Sequence, residues 1–133
     1  MIPQDSIVAL ATPSGAGAIA VVRVSGADAI NIGASVFKSI HDKDLLKVAS
    51  HTLHLGHIVD GVKTLDQVLI SVFKGPNSYT GENTIEISCH GSTYIQQQII
   101  QLLLRSGCRM ADAGEFTLRA FLNGKLDLSQ AEA

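Results

Sequence analysis

Two runs rich in β-branched and apolar residues, Thr52–Val59 and Asp66–Phe73, meet across Asp60-Gly61, and this junction limits what the chain can become. Asp-Gly is a favoured hairpin dipeptide, so the two runs are predicted to lie antiparallel and adjacent. A second pair, Ser6–Ala11 and Ala18–Ser25, is joined through the turn-forming Thr12-Pro13-Ser14-Gly15. Connections this short leave no room for a helical crossover and argue against a doubly wound parallel sheet.

The rest of the chain alternates between helix and strand signals. In Ala18–Ser25, the residues Ile19, Val21, Arg23 and Ser25 fall on one face, and Ala20, Val22 and Val24 on the other. Ser25 with Asp28 three positions later resembles a capping box, opening a helix that reaches about Phe37. The charged stretch Ile40–Ser50 reads as a surface loop, and so does Gly75-Pro76-Asn77-Ser78. Thr84–His90 is a strand of clean alternation. Ser92–Ser106 is the best helix, with Ile95, Ile99, Leu102 and Leu103 at helical spacing and Gly107 as its stop. Cys108–Ala111 is a last short strand. The expectation is an α+β domain: a mixed, mostly antiparallel sheet with helices packed on it.

The C-terminal block, Gly114–Ala133, reads as a short helix, a glycine stop and the start of a second helix. Glu115 sits at the first helix's positive end and four residues before Arg119, which supports the helix twice. Gly124 is placed as its C-terminal cap. Asp127 or Ser129 can cap the second helix, but only about a turn of it follows, too little to be stable alone. The chain is therefore expected to be a fragment, with residues 1–123 forming one domain and 124–133 beginning a truncated helical one.

Composition fits a single core. A chain of 133 residues with 46% hydrophobic content is expected to bury roughly two-thirds of its unfolded surface. The net charge of −2 gives no basic footprint for nucleic acid. Cys89 and Cys108 are read as reduced thiols of a cytosolic protein. No apolar run approaches the ~20 residues of a spanning helix, so a soluble protein is expected.

Several motifs fail as chemistry. Gly15-Ala16-Gly17-Ala18-Ile19-Ala20 matches G-x-G-x-x-A, but a strand follows where a dinucleotide site needs a helix, and Asp28 comes too early for the ribose acid. A glycine-rich hairpin is the better account. Cys89 and His90 are neighbours on a strand, so they point to opposite faces and cannot easily act as nucleophile and base. With Cys108 they also lack the spacing of a metal site. No G-x-x-x-x-G-K-[ST] phosphate loop is present. Neither catalytic nor metal-binding residues are assigned.

Three charges remain in unusual places: Arg23, Glu86 between two isoleucines, and Lys125 just past the helix stop. In one reading Arg23 and Glu86 share a solvated sheet face, paired or separate, and Lys125 neutralises a helix C-terminus. In the other they converge on a ligand. A pterin ring suits a carboxylate acceptor, and the glutamate tail of a folate suits Arg or Lys.

The block G-E-F-T-L-R-A-F-L-N-G-K-L-D-L-S-Q-A-E-A resembles a signature of the MnmE/TrmE family of tRNA modification GTPases. Ile7–Gly26, Gly75–Glu82 (G-P-N-S-Y-T-G-E) and Ile85–Gly91 (I-E-I-S-C-H-G) resemble it too, in order and spacing over essentially the whole chain. Departures are Ala113 for a usual proline, Leu118 for a polar residue and Ser92 for a glycine, none at a ligand position. The resemblance implies a folate-binding, dimerising domain over residues 1–123, similar in fold to that of the glycine-cleavage T-protein. It implies that Arg23, Glu86 and Lys125 bind 5-formyltetrahydrofolate, with Glu86 facing the pterin. It further implies a cytoplasmic homodimer that acts with the FAD-dependent protein MnmG (GidA). Together they add a carboxymethylaminomethyl-type group to the wobble uridine of tRNA. GTP hydrolysis, with Mg and potassium, would belong to a separate domain of the parent. Two rivals are a dimerisation module with a decayed folate site and a stand-alone aminomethyltransferase-like protein.

Overall fold

The computed structural model describes residues 5–126. Its elements follow in the order β1 (Ile7–Leu10), β2 (Ile19–Ser25), α1 (Ala29–Val36), β3 (Phe37–Ser39), β4 (Thr52–Asp60), β5 (Lys63–Phe73), β6 (Thr84–His90), α2 (Thr93–Arg105), β7 (Arg109–Met110) and α3 (Glu115–Leu122). The strands form one seven-stranded sheet in the order β3-β4-β5-β6-β2-β1-β7. Every neighbouring pair is antiparallel except β1 with β7. The α+β class with a mixed, mostly antiparallel sheet is what the short connections dictate. The expected second helix, from Asp127 onward, lies outside the described residues.

Alternation gives the sheet two unlike faces. Val22 and Val24 of β2, Ile70 of β5, and Ile85 and Ile87 of β6 are fully buried beneath α1 and α2. Each such side chain contributes about 1.5–3 kcal/mol relative to exposure. α1 rests directly on β6: a Cβ added to Gly33 would come 2.6 Å from Ile85 Cδ1. α2 starts at Ser92, whose Oγ accepts from Ile95 N–H, and turns Ile99, Leu102 and Leu103 into the core. The other face carries Arg23, Glu86 and Ser88, and is met near Arg23 by the 74–83 loop and α3.

Three local expectations are revised. Ser25 does not cap α1; its Oγ lies 2.7 Å from Thr80 Oγ1 and donates to Glu82 Oε1 at 2.9 Å. Asp28 occupies the N-cap position without a side-chain bond. The helix ends at Val36, and Phe37–Ser39 pairs with β4 as a short edge strand. The hairpin turn falls on Gly61-Val62, with Asp60 opposite Lys63 and a register shift at Ile58/Val59 that lets β5 begin earlier. The 40–50 segment is a loop as expected, but Leu45 points inward and is buried.

The glycine-rich segment before β2 is an extension of the ladder. Gly17 N–H donates to Gly91 O at 3.0 Å, and Gly91 N–H to Ala18 O at 3.2 Å. A Cβ on Gly91 would collide with the Gly17 carbonyl. Gln96 of α2, buried, donates from Nε2 to Gly15 O and Gly91 O, each at 3.1 Å. This segment is packed backbone rather than a phosphate cradle.

Candidate functional site

Register decides which charges meet. β2 and β6 pair so that Arg23 stands opposite Glu86, both on the face away from the isoleucine core. Arg23 Nε donates to Glu86 Oε2 at 2.8 Å, and the two side chains are 26% and 28% exposed. The arginine is also held by rings. Its Cζ lies 5.6 Å from the centroid of Tyr79, on the 74–83 loop, and 5.3 Å from that of Phe116, on α3. Cation–π attraction at such distances orients a guanidinium and costs it little of its donor capacity. The hydrogen bonds of Arg23 among the described residues use Nε alone, and those of Glu86 use Oε2 alone.

Beside this pair opens a cleft of about 450 Å³, bounded by His51, Phe73, Ser78, Tyr79, Thr84 and Glu86. His51 and Phe73 meet edge to face with centroids 5.2 Å apart. The cleft combines aromatic walls with one carboxylate, within the size range of small-ligand sites.

Lys125 follows the stop of α3. Gly124 adopts φ +75°, its N–H donates to Phe121 O at 3.0 Å, and Lys125 N–H donates to Ala120 O at 2.8 Å. This is the double bond pattern of a glycine-terminated helix. A Cβ on Gly81 would lie 3.3 Å from Lys125 Cγ, so the lysine stem runs beside the Gly81 turn. Among the described residues no hydrogen bond or ion pair joins Lys125 to Arg23 or Glu86. The structure thus brings Arg23 and Glu86 into contact and sets Lys125 against the same loop that supplies Tyr79.

A further cluster was not legible as such in the sequence. Arg119 is fully buried, and it contacts Asp5 and Glu82 as well as Glu115. The spacing of Glu115 and Arg119 signalled only the local pair; the other partners lie 114 and 37 positions away. Arg109, chiefly through its bond to Glu115, draws that carboxyl from an ordinary 4.5 down to about 2. Asp5 is also held below its usual range, first by Arg109.

The structure places the cysteines and His90 as follows. Cys89 and Cys108 are buried and unpaired, and burial pushes each thiol up to about 11. His90 points to the opposite face from Cys89, with Nδ1 2.7 Å from Asp66 Oδ1. Among the described residues no cluster of His, Cys, Asp and Glu could hold a metal ion. None of the described helices is long and apolar enough to cross a membrane.

Residues 6–125 match the family model described as GTP-binding protein TrmE N-terminus. The chain belongs to this family. Its similarity to curated tRNA modification GTPases named MnmE is close: 86% identity to that of Flavobacterium johnsoniae over the whole chain and 28% of the relative's length. For Flavobacterium psychrophilum the figures are 78%, the whole chain and 29%. The Bacillus subtilis protein is 52% identical over 98% of this chain and 29% of its own length. The chain thus spans less than a third of the length of these relatives. The matched region contains Arg23, Glu86 and Lys125.

Proposed function

We propose that this chain is the tetrahydrofolate-binding and dimerising part of a tRNA modification GTPase. The observation that carries the reading is the Arg23–Glu86 pair, with Tyr79 and Phe116 against the guanidinium and Glu86 lining an aromatic-walled cleft. The residues suit a folate. Glu86 keeps Oε1 for the amino and ring N–H groups of a pterin, and His51, Phe73 and Tyr79 offer surfaces for a flat ring. Arg23 has terminal donors to spare, and Lys125 offers a cation for the glutamate tail. When bound, 5-formyltetrahydrofolate or a related one-carbon folate supplies the carbon unit; the protein's part is to bind and orient it.

In this reading a second copy of the chain covers part of the sheet face away from α1 and α2, where Ile19 and Leu53 stand 67% and 58% exposed. The whole protein works in the cytoplasm with the FAD-dependent MnmG on the wobble uridine of tRNA, adding a carboxymethylaminomethyl-type group. GTP hydrolysis, with Mg and potassium, belongs to a region other than this chain. The names of the relatives support the tRNA-modification and GTPase elements; the folate, MnmG and wobble-uridine elements rest on the family resemblance and the cleft. Calorimetric titration of 5-formyltetrahydrofolate tests the core of the proposal: saturation near one site per chain is expected, and no heat of binding at millimolar ligand would overturn it. Sedimentation showing only a ~14 kDa species at tens of micromolar would remove the dimer, since an interface of ordinary size persists there.

A further inference from the structure

α3 is fastened to the body of the domain mainly by charge. Of its apolar side chains only Ala120 is fully buried, while Leu118, Phe121 and Leu122 remain exposed. The side chain that enters the interior is Arg119. Its Nη1 donates to the Asp5 carbonyl at 2.6 Å and to Glu82 Oε1 and Oε2 at 3.2 and 3.1 Å. Its Nη2 donates to Asp5 Oδ1 at 2.6 Å and to Glu115 Oε2 at 3.3 Å. Arg109 closes the network, gripping both oxygens of Glu115 and donating from Nε to Asp5 Oδ2. Glu82 in turn accepts from Ser25, two residues along β2 from Arg23.

The same helix sets both rings around Arg23. Phe116, three residues before Arg119 and so near it on the helix surface, lies over the guanidinium directly. Thr117, the next residue, meets the other ring: its Oγ1 is 2.9 Å from Tyr79 OH. Wherever Arg119 fixes α3, it fixes one plate against Arg23 and the hydroxyl that steadies the second.

We propose that Arg119 is a positioning residue for the candidate site, locking α3 so that Phe116 and Tyr79 hold the Arg23 guanidinium in one orientation. A planar fork is required, because the partners come from the segment before β1, the 74–83 loop and α3 itself. A lysine ammonium offers one point charge and cannot span all three. The inference bears on the folate reading through Arg23, yet its primary test needs no ligand.

That test is the Arg119→Lys variant of the chain, followed by NMR. Amide protection of the sheet should be retained, protection across 118–123 should fall about tenfold or more, and the Arg23 Nε–H resonance should move toward that of a free arginine. Asp5→Ala removes an accessible partner, with its side chain 50% exposed, and should produce the same two changes to a smaller degree if the lysine variant does not fold. An unchanged Arg23 resonance and unchanged α3 protection in the folded variant overturn the proposal, as does loss of protection spread evenly over the sheet. Titration with 5-formyltetrahydrofolate adds a coupling readout. Arg119→Lys should weaken binding about tenfold in the natural background and not further when Arg23→Ala is present; additive losses contradict action through Arg23. Failure of the natural chain to bind folate would refute the folate reading and leave the NMR result to decide the role of Arg119.

Discussion

Arg23 and Glu86 are direct cross-strand partners on β2 and β6, joined Nε to Oε2 at 2.8 Å, with about a quarter of each side chain open to solvent. At that exposure an ion pair contributes little to folding, about 1 kcal/mol or less. Arg23→Ala and Glu86→Ala should therefore lower the unfolding free energy only slightly, as read by urea denaturation. A loss of ~3 kcal/mol or more would mean that the pair is a core element rather than a site.

Acid should act on a different part of the molecule. The Glu115 carboxyl, 8% exposed, is lowered from 4.5 to about 2 by Arg109 in the folded state. A depressed acid stabilises the fold above its unfolded value, and that stability is lost as pH falls from about 4.5 towards 2, on the order of 3 kcal/mol at most. Glu115→Gln should be less stable than the natural chain at pH 7, and the two curves should converge near pH 2. Parallel curves would contradict the assignment. Asp5, lowered in the same direction, adds a shallower loss in the same acid range.

Gly91 and Gly17 face each other across a two-bond extension of the β2–β6 ladder, but they differ in tolerance. A Cβ on Gly91 would overlap the Gly17 carbonyl, whereas one on Gly17 meets only Ile19 O at 4.0 Å. Gly91→Ala should cost more than ~2 kcal/mol, and Gly17→Ala about 0.5 kcal/mol or less. Equal shifts in Tm for the two variants would show that the segment yields.

Much of this fold can be read from pattern, because alternation and caps are local. Val22 and Val24 against Arg23, Ile85 and Ile87 against Glu86, and the Ser92 cap of α2 need no information from elsewhere in the chain. What was not legible depends on pairing at a distance. β3 has three residues and no pattern of its own; it exists because Phe37–Ser39 meets β4. Ser25 carries a local capping signal, but Thr80 and Glu82 take its hydroxyl. Arg23 and Glu86 were each conspicuous in sequence, yet their contact needs the β2–β6 register. Arg119 showed only its helical neighbour Glu115, while its burial is created by Asp5 and Glu82. Lys125 carries two readings in sequence, a helix-end cation and a folate contact, and the structure adds that its backbone N–H completes the α3 stop.

GTP should find no site on this chain. No G-x-x-x-x-G-K-[ST] sequence is present, and that loop is what cradles the phosphates in P-loop GTPases. Calorimetry with GTP and Mg should show no saturable binding, and phosphate release should stay at the buffer level. Stoichiometric binding would contradict the proposal that nucleotide is handled by a region other than this chain.

Titration of 5-formyltetrahydrofolate into the natural chain and into Arg23→Ala, Glu86→Ala and Lys125→Ala is the most direct test of the proposed site. If these three side chains hold the ligand, each variant should lose a charge-assisted hydrogen bond of roughly 1.5–3 kcal/mol and bind about ten- to a hundredfold more weakly. The predicted result is one site per chain with losses of that size and circular dichroism unchanged. Equal affinity in all three folded variants and the natural chain would contradict the site.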